Sequence, residues 1–224
     1  MRRGRALLSA LALAGFVAAP AYATSVTVVM TGTWDAVDDS ADVLDDSAEA
    51  GDSFTATLVY DDSVSDLDPS DEFGAYFTEG VPWDLTIVAG NFTFAAGSGT
   101  FDVGIGVWNN NPDGEDLILL NGENYVGSGP FPVGVATGAT AYAAPSLTDL
   151  SGTALGSDSL VGLNWNLADY DDAFFYLFVE ITGEGPMQFV EFQGTITSIE
   201  VLPEPAALLT MVVAVAGLIG RRRV

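Results

Sequence analysis

Apolar and polar residues alternate with a period of two through several short stretches of this 224-residue chain. Phe54, Ala56, Leu58 and Tyr60 interleave with Ser53, Thr55, Thr57 and Val59; Phe101, Val103, Ile105 and Val107 interleave with Asp102, Gly104 and Gly106. Successive side chains of a strand point to opposite faces, so each stretch gives a sheet one apolar face. Runs rich in Val, Thr, Phe and Tyr predict further strands over residues 25–33, 83–89, 91–95, 116–120, 131–137, 160–167, 173–182 and 187–201. Turn chemistry falls between them at Gly90-Asn91, Asp113-Gly114, Asn121-Gly122 and Gly183-Glu184-Gly185-Pro186. Only the two ends of the chain have helical length and period. The pattern predicts an all-β protein, an antiparallel β-sandwich of jelly-roll-like form.

Three segments break the alternation. Residues 173–182 are apolar on both faces: Phe175, Leu177, Val179 and Ile181 suit a core, while Phe174, Tyr176 and Phe178 point the other way. A central strand covered on both sides explains this, and so does an aromatic row that stacks on sugar faces and leaves their polar edges wet. The second reading makes Phe174, Tyr176 and Phe178 a candidate polysaccharide site. Residues 127–138, with Gly127, Gly129, Pro130, Pro132, Gly134 and Gly138, carry no charge and read as a loop crossing the fold. Residues 35–52 and 60–71 are acidic and read as long loops.

Charge narrows the chemistry. The chain has 31 Asp and Glu against six Arg and no His, for a net charge of −25, and it has no Cys. All but one of the acids, Glu204 excepted, lie between residues 24 and 202, where there is no Lys or Arg. Such a body repels itself, moderated by salt, and no disulfide staples it. Nucleic acid and anionic lipid both need Lys or Arg, so neither is an electrostatic partner of this region. Without His, Cys or Lys the body has no Ser-His-Asp triad, thiolate nucleophile, Schiff base or P-loop. Zinc and copper favour imidazole and thiolate, so a transition-metal site is not expected.

Carboxylate chemistry survives. Calcium takes six to eight oxygen ligands, and the acidic loops offer Asp38 and Asp39 in one, Asp66 and Asp68 in the other. The run from Asp66 through Asp68 to Ser70 opens like an EF-hand loop. Its sixth position is Asp71 rather than Gly and its twelfth is Phe77 rather than Glu, so that motif fails. A solvated acidic loop serving solubility is the competing account. Paired acids such as Asp102, Glu180 and Glu191 leave a small glycosidase as a further reading, although nothing in the sequence brings two of them together. No catalytic residue is assigned.

The ends carry the address. Arg2, Arg3 and Arg5 precede an apolar run at residues 6–19; Pro20 breaks it, and Ala21-Tyr22-Ala23 supplies the small-x-small pattern of signal-peptide cleavage after Ala23. At the other end Pro203, Glu204 and Pro205 precede an apolar run at residues 206–220, closed by Arg221, Arg222 and Arg223. As a helix that run reaches roughly 22 Å, a short transmembrane segment. Residues 202–224 thereby resemble the PEP-CTERM sorting signal of Gram-negative bacteria, with Leu202 where many members have Val. The resemblance implies transient anchoring in the inner membrane through this helix, recognition by an exosortase after passage through the export machinery, removal of the tail, and delivery to the cell surface or extracellular matrix. PEP-CTERM systems accompany exopolysaccharide production, so it also implies a matrix role beside exopolysaccharide. The organisation expected is a signal peptide at 1–23, one acidic β-domain at 24–201 and a sorting segment at 202–224. Its function is expected to be that of an exported, non-enzymatic surface or matrix protein, or alternatively a carbohydrate-binding module assisted by calcium.

Overall fold

The computed structural model describes residues 25–202 except 40–41, 45, 69, 71, 78–82, 97–102, 129–137 and 183–187. Both terminal signals, the C-terminal helix and the strand expected at 131–137 lie outside the described residues. Ten antiparallel strands are described: β1 (Ser25–Asp38), β2 (Ser53–Asp61), β3 (Phe73–Phe77), β4 (Asp84–Ala89), β5 (Phe92–Ala96), β6 (Val103–Trp108), β7 (Asp116–Ser128), β8 (Gly138–Asp149), β9 (Asp172–Thr182) and β10 (Gln188–Leu202). They form a single curled sheet in the order β3-β6-β7-β5-β4-β2-β1-β10-β9-β8. A further pairing joins β7 to β8, so the hydrogen-bonded path from β7 through β5 and round to β8 returns to β7. The all-β antiparallel expectation holds.

Alternation does what the sequence pattern demands. In β2 the residues Phe54, Ala56, Leu58 and Tyr60 are buried, and in β9 so are Phe175, Leu177, Val179 and Ile181. These meet the inner residues of β1, β4, β6, β7, β8 and β10 in one apolar core. Trp34, Phe54, Phe175 and Phe192, from β1, β2, β9 and β10, form an aromatic cluster within it. Gly32 and Gly194 make room for this cluster: a Cβ on Gly32 would lie 2.5 Å from the Phe54 ring, and one on Gly194 2.8 Å from the Trp34 ring.

Three sequence expectations need correction. Residues 160–167 are not a strand: they belong to the connection between β8 and β9, where Gly162 has φ +73 and Val161 is 67% exposed. Leu160 and Trp165 are buried there as anchors of an irregular segment, and Leu163 and Leu167, partly buried on either side of Trp165, give it the alternation of a pleat. Asn121-Gly122 is no turn but the middle of β7, paired with Gly104 and Val103. Residues 35–38 extend β1 rather than opening a loop, because two bulges in its pairing with β10 bend it onward. Two strands, β3 and β8, are additions to the expected set.

The long connection between β8 and β9 is fastened by buried carboxylates. Asp116 and Asp149 lie side by side in the β7–β8 register and are almost fully buried. Asp116 accepts the N–H groups of Asn110 at 2.8 Å and Leu155 at 2.7 Å. Asp149 accepts the Ser151 N–H and hydroxyl at 2.8 and 2.7 Å, and the Thr153 and Ala154 N–H groups at 2.7 and 2.8 Å. The Ser151 hydroxyl and these N–H groups outweigh burial and hold the Asp149 carboxyl well below the usual range. Two tyrosines tie the same connection down: Trp165 donates to the Tyr60 hydroxyl at 3.0 Å, and the Tyr76 hydroxyl donates to the Asp158 carbonyl at 3.0 Å. Burial pushes both tyrosines up to about 12, reinforced by nearby carboxylates.

Candidate functional site

The acidic positions serve the backbone first. Asp39 follows β1 and accepts the N–H groups of Val43 at 2.9 Å and Leu44 at 2.7 Å, folding the loop so that Val43 and Leu44 reach the core. Asp66 accepts the N–H groups of Asp68 at 2.9 Å and Ala75 at 2.8 Å, covering part of the outer edge of β3. Asp68 accepts the Ser70 N–H at 2.8 Å. These are local side-chain-to-backbone bonds of the kind that shape turns. Asp38 is exposed at the end of β1, directly opposite Glu191 of β10. A concavity of about 220 Å³ opens above the first loop, lined by Val37, Asp39, Asp42, Asp46, Ala48, Glu49 and Ala50. Among the described residues no three acidic side chains converge in a group able to hold a metal ion.

The aromatic row takes the position its spacing predicts. Phe174, Tyr176 and Phe178 sit half-buried on the outer face of β9, opposite the core residues of the same strand. Register brings neighbours to them that sequence spacing does not disclose. On β10, Thr195, Gln193, Glu191 and Phe189 lie opposite Phe174, Tyr176, Phe178 and Glu180; on β8, Ser146, Ala144, Tyr142 and Thr140 lie opposite the same four. Phe178 stacks on Phe189 with ring centroids 5.3 Å apart and planes 27° off parallel, and Tyr142 meets Tyr176 edge-on at 6.3 Å. Phe189 is 45% exposed. Burial raises the Tyr176 hydroxyl, helped by the charge of Glu191 and by Tyr142, so it stays a neutral donor. Gln193 donates to Glu191 at 2.7 Å. Rings, a hydroxyl, an amide and carboxylates therefore share one face.

Of the four tryptophans, Trp34, Trp83 and Trp165 belong to the core. Trp108 is half-buried on the outer face of β6, stacked on Phe73 at 4.3 Å. Of the carboxylates considered for glycoside hydrolysis, Asp102 lies outside the described residues. Glu180 and Glu191 occupy diagonal positions across β9 and β10 on the outer face. Cleavage residues Ala21 and Ala23 and the sorting residues Pro203, Glu204, Pro205 and Arg221 to Arg223 also lie outside. No family model, no curated protein and no solved structure matches this chain.

Proposed function

We propose that this chain is an exported, non-enzymatic protein of the cell surface or extracellular matrix that holds polysaccharide on the outer face of β8, β9 and β10. Its terminal signals support the address: a signal peptide over residues 1–23, and a PEP-CTERM-like segment over 202–224 through which an exosortase would remove the tail. The observation that carries the binding reading is the outer row Phe174, Tyr176 and Phe178, widened by Tyr142 and Phe189 and edged by Gln193 and Glu191. Aromatic rings with polar groups at their margins suit sugar rings, whose C–H faces stack while their hydroxyls bond. A flattened, jelly-roll-like form of the curled sheet would keep such a face level. Met30 and Ile196 lining one small gap with Ile118, Leu120 and Leu147 supports that form. Protein recovered from the host surface is expected to begin at Thr24, to lack Arg221 to Arg223 by intact mass, and to be retarded in gels containing the host exopolysaccharide. Tyr176→Ala with Phe178→Ala should weaken that retardation at least tenfold. A surface form that keeps its arginines and migrates the same with and without polysaccharide would overturn the reading.

Calcium assistance belongs to this proposal on the acidic character of the loops: Asp39, Asp42, Asp46 and Glu49 line one concavity, with Asp38 beside it in the chain, and an ion would have to draw together carboxylates that stand apart in this structure. A site that binds only the folded chain stabilises it by roughly 2.7 kcal/mol at a hundredfold excess over Kd, whereas generic screening follows ionic strength. Millimolar calcium is expected to raise the melting temperature more than equal magnesium, which dehydrates reluctantly. The difference should vanish in Asp38→Asn with Asp39→Asn if this loop carries the ion, and in Asp66→Asn with Asp68→Asn if the other does. Equal shifts from the two cations would reduce the loops to solvated charge.

A further inference from the structure

The row on β9 is one border of a broader face. Continuing outward from β8, the same face crosses β7, β6 and β3. Leu119 of β7 lies opposite Ser146 of β8, and by the same register Asn121 lies beside Ala144. Asn121 and Leu119 lie opposite Gly104 and Gly106 of β6, which in turn face Phe77 and Ala75 of β3. Gly104 and Gly106 let rings lie against the sheet. A Cβ on Gly104 would fall 2.2 Å from the Phe77 ring, and one on Gly106 would fall 2.6 Å from the Trp108 ring and 3.3 Å from Phe73. Phe77 is 44% exposed, and Phe73 stacks on Trp108. Two aromatic groups thus border a floor of small residues, Gly104, Gly106, Ala144 and Ser146 among them. At about 4.8 Å per strand, Phe77 and Tyr176 stand roughly 19 Å apart along the sheet. The Oδ1 of Asn121 is buried without a hydrogen-bond partner in this floor.

The border on β9 and β10 is also acidic. Asp38 lies opposite Glu191, and Glu180 is diagonal to Glu191 across the β9–β10 pair. Like charges at such positions repel, and no Lys, Arg or His exists between residues 24 and 202 to offset them. An anionic polysaccharide finds no cation here. A neutral one stacks on the rings and donates its hydroxyls to the carboxylates, but leaves their mutual repulsion uncompensated. A second copy of the chain would bring its own net charge of −25 against the same acids. A polymer of amino sugars satisfies both features, since its rings stack, its ammonium groups relieve the crowded carboxylates, and cation–π contact with the aromatic faces adds to both.

We infer that the outer face running from β3 to β10 binds a polysaccharide bearing free amino groups, a hexosamine polymer at least partly without N-acetyl groups. This rests on the polysaccharide reading above and names its ligand. The test compares glucosamine, N-acetylglucosamine and glucose oligomers of equal linkage and length, with polylysine as a protein-like polycation. Binding to the mature protein is followed by calorimetry at low and high salt. Glucosamine oligomers are expected to bind at least tenfold tighter than the other two sugars at low salt, and the advantage should shrink at high salt as carboxylates are screened. Glu180→Gln with Glu191→Gln should remove that preference, whereas Asp84→Asn, an exposed carboxylate at the start of β4, should not. Phe77→Ala should weaken glucosamine binding as Tyr176→Ala does, because both borders hold the chain. Melting curves identify any variant whose loss reflects unfolding; Phe77→Leu then serves in place of Phe77→Ala. Equal affinity for all three sugars leaves the polysaccharide reading intact and overturns this inference, and binding of none of them overturns both. Polylysine binding that equals glucosamine binding and ignores the aromatic substitutions makes the face an acidic docking surface for a basic protein, which also overturns it.

Discussion

Asp149→Ala is expected to lower the melting temperature more than any other carboxylate substitution, and to open the connection between β8 and β9 to proteases. Asp149 satisfies three backbone N–H groups and the Ser151 hydroxyl from a nearly fully buried position. Alanine strips the half-exposed Ser151–Ala154 turn of the one acceptor its donors share, and losing several bonds to a charged group at once costs more than losing one. Asp116→Ala orphans the N–H groups of Asn110 and Leu155, a cost of about 3 kcal/mol at roughly 1 to 3 kcal/mol per group. Both substitutions release the same segment, so their effects should fall short of additive when combined. Acid isolates the Asp149 contribution. Its folded carboxyl is held below the ordinary value of 3.8, so below about pH 4 the unfolded chain takes up a proton that the folded chain refuses. The stability it supplies is complete above that value and drains as pH falls toward the lowered folded one. Wild-type melting temperature should therefore fall more steeply below pH 4 than that of Asp149→Asn. Parallel acid limbs, or limited proteolysis sparing residues 150–171 in Asp149→Ala, would show that the clasp carries no stability.

The contrast between Asp149 and Asp39 shows why acids were the least legible residues of this sequence. Asp149 ends β8 and Asp39 directly follows β1, and each has a serine within two residues, yet one is buried beneath a loop that returns from residue 171 and the other folds the turn after β1. Composition assigns them the same role. Aromatic spacing read better: the outward set on β9 followed from a run apolar on both faces. Its partners Tyr142 and Phe189 depend on register across β8 and β10, and Phe73, Phe77 and Trp108 join the same face only because β6 pairs between β3 and β7. No period within one strand encodes such neighbours.

Strand legibility followed side-chain bulk. β2, β4, β6 and β9 carry large or β-branched residues at alternate positions and were readable. β8 hides its alternation in Ala141, Ala143 and Pro145, small residues that suit close packing between two hydrogen-bonded neighbours but signal strand weakly. Pro145 sits inside β8 without an N–H to donate, a placement that local rules assign to edges or bulges. β3 is five residues long and follows an acidic stretch, which masks its alternation of Phe73, Ala75 and Phe77 with Gly74 and Tyr76.

Trp34→Ala is expected to cost about 4 kcal/mol, within the range for emptying a buried aromatic site. The indole is 1% exposed and touches Phe54, Phe192 and Phe175 at centroid distances of 4.4, 5.0 and 5.8 Å. It stands where β1, β2, β9 and β10 meet, so a void there loosens contacts on four strands that are consecutive in the sheet. Nearby Gly32 and Gly194 cannot refill the space, since they have no side chains to move. Trp34→Phe should behave otherwise. The Nε1 of Trp34 is buried with no hydrogen-bond partner, so phenylalanine removes an unsatisfied donor along with part of the ring, and the two terms oppose each other. Urea titrations of the two variants are expected to show a large drop in midpoint for alanine and less than half that drop for phenylalanine. Equal losses would mean that the indole N–H is satisfied in solution and that the cluster depends on tryptophan itself.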